Sequence, residues 1–158
     1  MTAFDDLAAR FLDDLFAADP VTATTKGDHR FDGRWPDTTE QGRLDRMAMY
    51  ERWSGVFAGL DAAALSADER IDRALVLGEL DSHRFLEGVL REDAWDALGW
   101  VYLIGGGVYS LIARDFAPLA VRLAELPQVV LTHDRGDLGL VEVHVQRPGR
   151  GLRSEAGQ

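Results

Sequence analysis

Four positions carry the side chains best suited to hold a substrate: His29, Arg30, Arg114 and Asp115. His29 stands between Asp28 and Arg30, with Asp32 and Asp37 close by in the chain. An imidazole among carboxylates can serve as a general base or as one metal ligand. The same charges can equally cap neighbouring helices in a loop anchored by Phe31 and Trp35, because the sequence identifies no nucleophile beside His29. Arg114 offers a guanidinium able to grip a carboxylate with two parallel bonds. The alternative for Arg114-Asp115 is a partly buried ion pair that joins their helix to the loop before it.

Two further groupings have weaker chemical meaning. In Gly105-Gly106-Gly107-Val108-Tyr109-Ser110, the glycines could form a phosphate turn between a strand at 100–104 and a helix, with Asp134 as a ribose-binding acid. Ser110 stands where that fingerprint needs its third glycine, and Pro118 interrupts the helix that should follow. A tight loop packed against Trp95 and Trp100 explains the glycines more plainly. His133 and His144 lie eleven positions apart, among Asp134, Asp137 and Glu142, without the spacing of a recognisable metal motif.

The elements that must position these residues read as helices. Phe4, Leu7, Ala8, Phe11, Leu12, Leu15 and Phe16 recur at three- and four-residue spacing behind a Thr2 cap. Asp19-Pro20 opens a second, short helix that Gly27 should end near Lys26. Residues 28–37 are turn-rich. Thr38-x-x-Gln41 and Ser66-x-x-Glu69 are capping boxes for two longer helices. The first carries the stripe Leu44, Met47, Tyr50, Trp53, Phe57, Leu60. The second carries Ile71, Ala74, Leu75, Gly78, Phe85 and Val89 as its core face, with Leu77, Leu80 and Leu86 widening the stripe. Residues 93–107 break the period and read as a Gly/Trp-rich loop; from Val108 or Ser110 a last helix runs to about Leu126, kinked or restarted at Pro118. The expectation is an all-α, irregular bundle of about five helices over residues 1–131, followed by a divergent, weakly structured tail over 132–158 in which Val141, Val143 and Val145 alternate like a short strand.

Several of these segments resemble the bacterial domain-of-unknown-function-885 family. The resemblance rests on Phe11-Leu12-Asp13, Asp19-Pro20-Val21-Thr22-Ala23, Gly27 through Asp32 and Pro36-Asp37. It continues through Leu60-Asp61, Leu65-Ser66, Asp68 and Asp72, and then Tyr109 through Leu119. It covers about residues 4 to 139. It implies a largely helical, metallopeptidase-like protein of the gluzincin type, whose zinc is held by a His-Glu-x-x-His helix far toward the C-terminus. That motif needs two imidazoles one helical turn apart and a carboxylate to activate water. Here the four histidines are followed by Arg30, Arg84, Asp134 and Val145, and no His-Glu dipeptide exists. The chain therefore resembles the N-terminal helical part of such a protein, truncated and non-catalytic alone, with zinc expected only in full-length relatives. The Arg/Gly/Pro-rich tail departs from the family; a shifted reading frame, a misplaced gene end or a natural short form would each produce it.

Composition narrows the remaining functions. The 158 residues contain 27 acids against 17 bases, for a net charge of −10. All of it lies in residues 1–131, with 23 acids and 13 bases. Such a surface repels phosphate backbones, so nucleic acid and anionic membranes are not expected partners. With no cysteine, disulfides, thiolate metal sites and cysteine nucleophiles are excluded. The acidic start lacks the pattern of a secretory leader, and a cytoplasmic location is expected. The partner is unknown. Self-association through exposed apolar helix faces is expected, chiefly through Leu77, Leu80 and Leu86 of the helix 67–91. The alternatives are an acidic helical interaction module and a small nucleotide-binding enzyme built on Gly105–Gly107.

Overall fold

The computed structural model describes residues 2–126, 128–132 and 142–146. Over these residues the chain forms an irregular bundle of six helices: α1 (Ala3–Ala18), α2 (Pro20–Lys26), α3 (Glu40–Ala58), α4 (Ala67–Phe85), α5 (Ala97–Ala113) and α6 (Leu119–Ala124). Two short strands, β1 (Gln128–Thr132) and β2 (Glu142–Gln146), then pair antiparallel, with Val129 opposite Val145. The alternation expected around Val143 and Val145 is thus a strand. The rest of the expected tail, with His133, Asp134 and Asp137, lies outside the described residues.

Local chemistry starts each helix. The Thr2 hydroxyl accepts from the Asp5 amide while the Asp5 carboxylate accepts from the Thr2 amide. Ser66 and Glu69 form the same reciprocal pair at α4. The Asp19 side chain accepts from the Thr22 amide, and Pro20 takes the first position of α2, where its missing N–H costs nothing. Gly27, at φ +92°, ends α2 in the left-handed region. At α3 the cap is Thr39, one residue later than the Thr38 box suggested. Asp37 accepts from both the amide and the hydroxyl of Thr39, and Thr39 in turn accepts from the Gly42 amide.

α1, α3 and α4 enclose the core. Phe4, Phe11, Trp53 and Phe57 meet at ring-centroid distances of 5.6–6.0 Å, mostly edge to face. Met49, Tyr50 and Leu80 complete this buried set. On α4 the expected faces are exchanged. Leu80 is fully buried and Leu77 half-buried against the core, whereas Ile71, Leu75, Phe85 and Val89 are exposed. Apolar residues lie on both sides of α4, so its period shows a helix without choosing which side faces inward. Leu80 therefore cannot join an exposed association surface.

The expected Gly/Trp-rich loop is instead helix. α5 runs through Gly99 and Gly105–Gly107 and ends at Ala113; there is no strand at 100–104 and no phosphate turn at the glycines. Three consecutive mid-helix glycines cost about 3 kcal/mol in propensity relative to alanine. Packing outweighs this at Gly107, where the place a Cβ would take is 2.9 Å from Trp35 Cη2. The absent side chain lets the Trp35 indole approach the helix closely. Pro118 restarts the chain as α6, as its missing donor requires. Among the described residues no single helix is long and apolar enough to cross a membrane; α4 with its extension and α5 reach that composition only as a pair bent by 99°.

Candidate functional site

The four residues singled out by sequence fall into two separate settings. Arg30 faces α1: its guanidinium donates to Asp28 and to Asp13 on α1, at 2.7 Å for the latter. The pairing holds Asp28 below the usual carboxylate range and Arg30 above its usual value. Both groups are spent on closing the loop after α2.

His29 lies on the other side, stacked on Phe116 with ring centroids 3.6 Å apart. Its Nδ1 is 3.0 Å from Asp32, whose other carboxylate oxygen accepts from the Thr24 hydroxyl at 2.6 Å. Arg114 and Asp115 stand beyond the end of α5 rather than on a helix. Arg114 donates to the Thr25 carbonyl at 2.6 Å, and Asp115 pairs with Arg122 at 3.3 Å. Phe116 links these groups, lying between the His29 ring and the Arg122 guanidinium, which sits 5.7 Å from the ring centroid. The cluster ties the α2 loop to the α5–α6 turn, and each polar group in it already has a protein partner.

The larger concavity is elsewhere, and none of the four residues lines it. A cavity of about 580 Å³ opens between α1, α3, α4 and α5. Leu12, Leu15 and Phe16 of α1 and Trp100 and Leu103 of α5 form its apolar walls. Arg43, Arg46 and Tyr50 of α3 and Glu79, His83 and Glu87 from α4 and its continuation supply the polar side. Glu87 is the hub. It accepts from the Tyr50 hydroxyl and from Arg46 Nε, both at 2.8 Å, while its backbone carbonyl accepts from Arg43. The Tyr50 ring stacks on His83 at 4.9 Å, and His83 Nε2 lies 3.4 Å from Glu79. Burial, reinforced by the adjacent Glu87 carboxylate, pushes the Tyr50 phenol well above its ordinary value, so it stays protonated and donates.

Sequence reading missed this site because it treated Tyr50 only as part of a core stripe. The available signal was the charge content of that stripe's flanks: Arg43 and Arg46 share a face with Tyr50 at three- and four-residue spacing.

No family model matches the chain, and no curated protein does. Among solved structures, the chain is similar to a candidate lipoprotein of unknown function from Shewanella oneidensis. The match has a TM-score of 0.71 and 27% identity over 80% of this chain. It spans 23% of the other protein, so the shared helices are a minor part of a much longer architecture there. The zinc implied by the sequence resemblance does not fit the described residues. No His-Glu-x-x-His stands anywhere in the sequence, and no three His, Asp or Glu side chains converge to hold a metal among the described residues. His29 and His83 are each engaged with a carboxylate and an aromatic ring.

Proposed function

We propose that this chain is the N-terminal helical portion of a protein of the domain-of-unknown-function-885, metallopeptidase-like type, without hydrolytic activity of its own. Its share of the work is to form one wall of a substrate site, and the cavity between α1, α3, α4 and α5 is that wall. The cavity is the observation that carries the reading. Its volume falls within the roughly 300–1,000 Å³ of small-ligand sites. Apolar side chains line one side, and groups of both charges, such as Arg43, Lys26, Asp93 and Glu79, line the other. That mixture suits an extended, dipolar ligand such as a short peptide. The similarity to one stretch of a much longer protein agrees with a partial role.

The test has two parts. Genomic sequence beyond codon 158, read in all three frames, should contain a His-Glu-x-x-His segment. The purified chain should bind no stoichiometric zinc and hydrolyse no peptide. A tightly held zinc with peptide turnover would overturn the reading. A downstream region without the motif would favour the second reading, an acidic helical interaction module, which the exposed Ile71, Leu75 and Phe85 of α4 and Val89 of its continuation support. The cytoplasmic location is kept as part of this proposal, against the lipoprotein description of the similar structure. Recovery of the tagged protein in an envelope fraction would remove it.

A further inference from the structure

α5 carries no charged side chain from Ala97 to Ala113. Gly107, Ser110 and Leu111 form its buried face, and it packs on α2. The opposite face is open: Leu98, Val101, Tyr102 and Tyr109 are 61–74% exposed and Ile112 46%. Leu98, Tyr102, Gly105, Tyr109 and Ile112 follow each other at intervals of four, three, four and three. That is the alternation of a helix–helix seam, in which each large side chain enters a gap on the facing helix. Gly105 is the gap: a Cβ built there meets nothing within 4 Å.

We propose that this stripe is the interface of a symmetric homodimer, with α5 of two copies packed antiparallel and Tyr102 of each copy filling the space over Gly105 of the other. In that register Leu98 of one copy faces Tyr109 of the other, and the pattern complements itself across a twofold axis. A parallel pair would set Gly105 against Gly105 and leave a void beside two clashing tyrosines. The net charge of −10 opposes association, but none of it lies on α5. The two tyrosines and nearby Trp95, each 63–74% exposed, offer on the order of 300–500 Å² per copy at roughly 150–250 Å² per aromatic side chain. With Leu98, Val101 and Ile112 the total approaches the roughly 600 Å² per partner of small specific interfaces. The dimer does not depend on the substrate-wall reading, because α5 turns Trp100 and Leu103 to the cavity.

The test compares Gly105→Glu with Gly106→Glu in sedimentation velocity over a wide concentration range. The two variants have identical mass and charge, and both positions have open space for a Cβ. Only the first lies in the seam, since neighbouring helix positions are turned by about 100°. The wild type should dimerise, Gly105→Glu should weaken the dimer roughly tenfold or more, and Gly106→Glu should leave it nearly intact. Circular dichroism melts confirm that both variants fold. A wild type that is monomeric at every concentration would overturn the proposal, as would equal weakening by both variants. So would a monomer that floats with phosphatidylcholine vesicles and loses this in Gly105→Glu, which would make the stripe a lipid-facing surface.

Discussion

Phe57 and Arg122 are both almost fully buried, yet they hold their ends of the molecule in opposite ways. The Phe57 ring sits among Phe4, Phe11 and Trp53, where its packing is aromatic and the energy scales with area removed from water. Arg122 sits among backbone oxygens. It donates to the carbonyls of Leu111, Ile112 and Arg114, which the end of α5 leaves without intrahelical partners, and to the Ala117 carbonyl in the turn before α6. A cation there also meets the negative end of the helix dipole. The α1–α3–α4 end closes over its own side chains. The α5–α6 end is pinned by one guanidinium and leaves much of its apolar surface outside. A fold can thus be self-sufficient at one end and depend on a single polar hub at the other.

The largest effect expected from this contrast is at the aromatic end. Phe57→Ala should cost about 3–5 kcal/mol, a large fraction of a small domain's stability, and lower the melting temperature of the whole chain. A loss confined to one helix by hydrogen exchange would break the comparison. Arg122→Met should cost less, about 1–3 kcal/mol, because several carbonyls lose their donor. Its damage should appear as faster amide exchange near 108–124, with the α1–α3–α4 amides still protected. Arg122→Lys should restore little, since a single ammonium cannot reproduce the planar fork. Full recovery by lysine would show that charge alone matters there.

A smaller effect is expected at the cavity. The folded pKa of Tyr50 is raised, so its contribution is complete below the ordinary phenol value of about 10 and declines as pH rises above it. Melting temperature should therefore fall on passing above pH 10, and Tyr50→Phe should make that fall shallower. Near neutral pH the same variant should lose on the order of 1–2 kcal/mol, from one hydrogen bond to a carboxylate that Arg46 still holds. Identical alkaline slopes for both proteins would remove Tyr50 from the account.

The sequence showed where helices begin far better than which way they face. Thr2, Asp19, Gly27, Ser66 and Pro118 each act through the nearest few residues, and each appears in the structure as expected. α4 was legible as a helix, but apolar residues on both sides left its inward face to tertiary packing, which chose Leu80 over Ile71 and Leu75. α5 was misread because glycine is a poor helix former and its gain depends on Trp35, seventy-two positions earlier in the chain. Of the candidate site, His29, Arg30, Arg114 and Asp115 were legible as polar clusters but serve as ties between loops. The cavity required knowing that Glu87 returns to Tyr50 and Arg46 across the α3–α4 pair, a contact with no local signal.

The proposed role, one wall of a short-peptide site without hydrolytic activity, requires the α1–α3–α4–α5 cavity to hold a peptide without cleaving it. Native mass spectrometry of the purified chain, mixed with added zinc and a set of short peptides, tests this most directly. The account predicts ions carrying one intact peptide per chain, no zinc adduct at one equivalent, and reduced peptide retention in Tyr50→Phe. Stoichiometric zinc with cleaved peptide products, or no retained peptide at all, would contradict it.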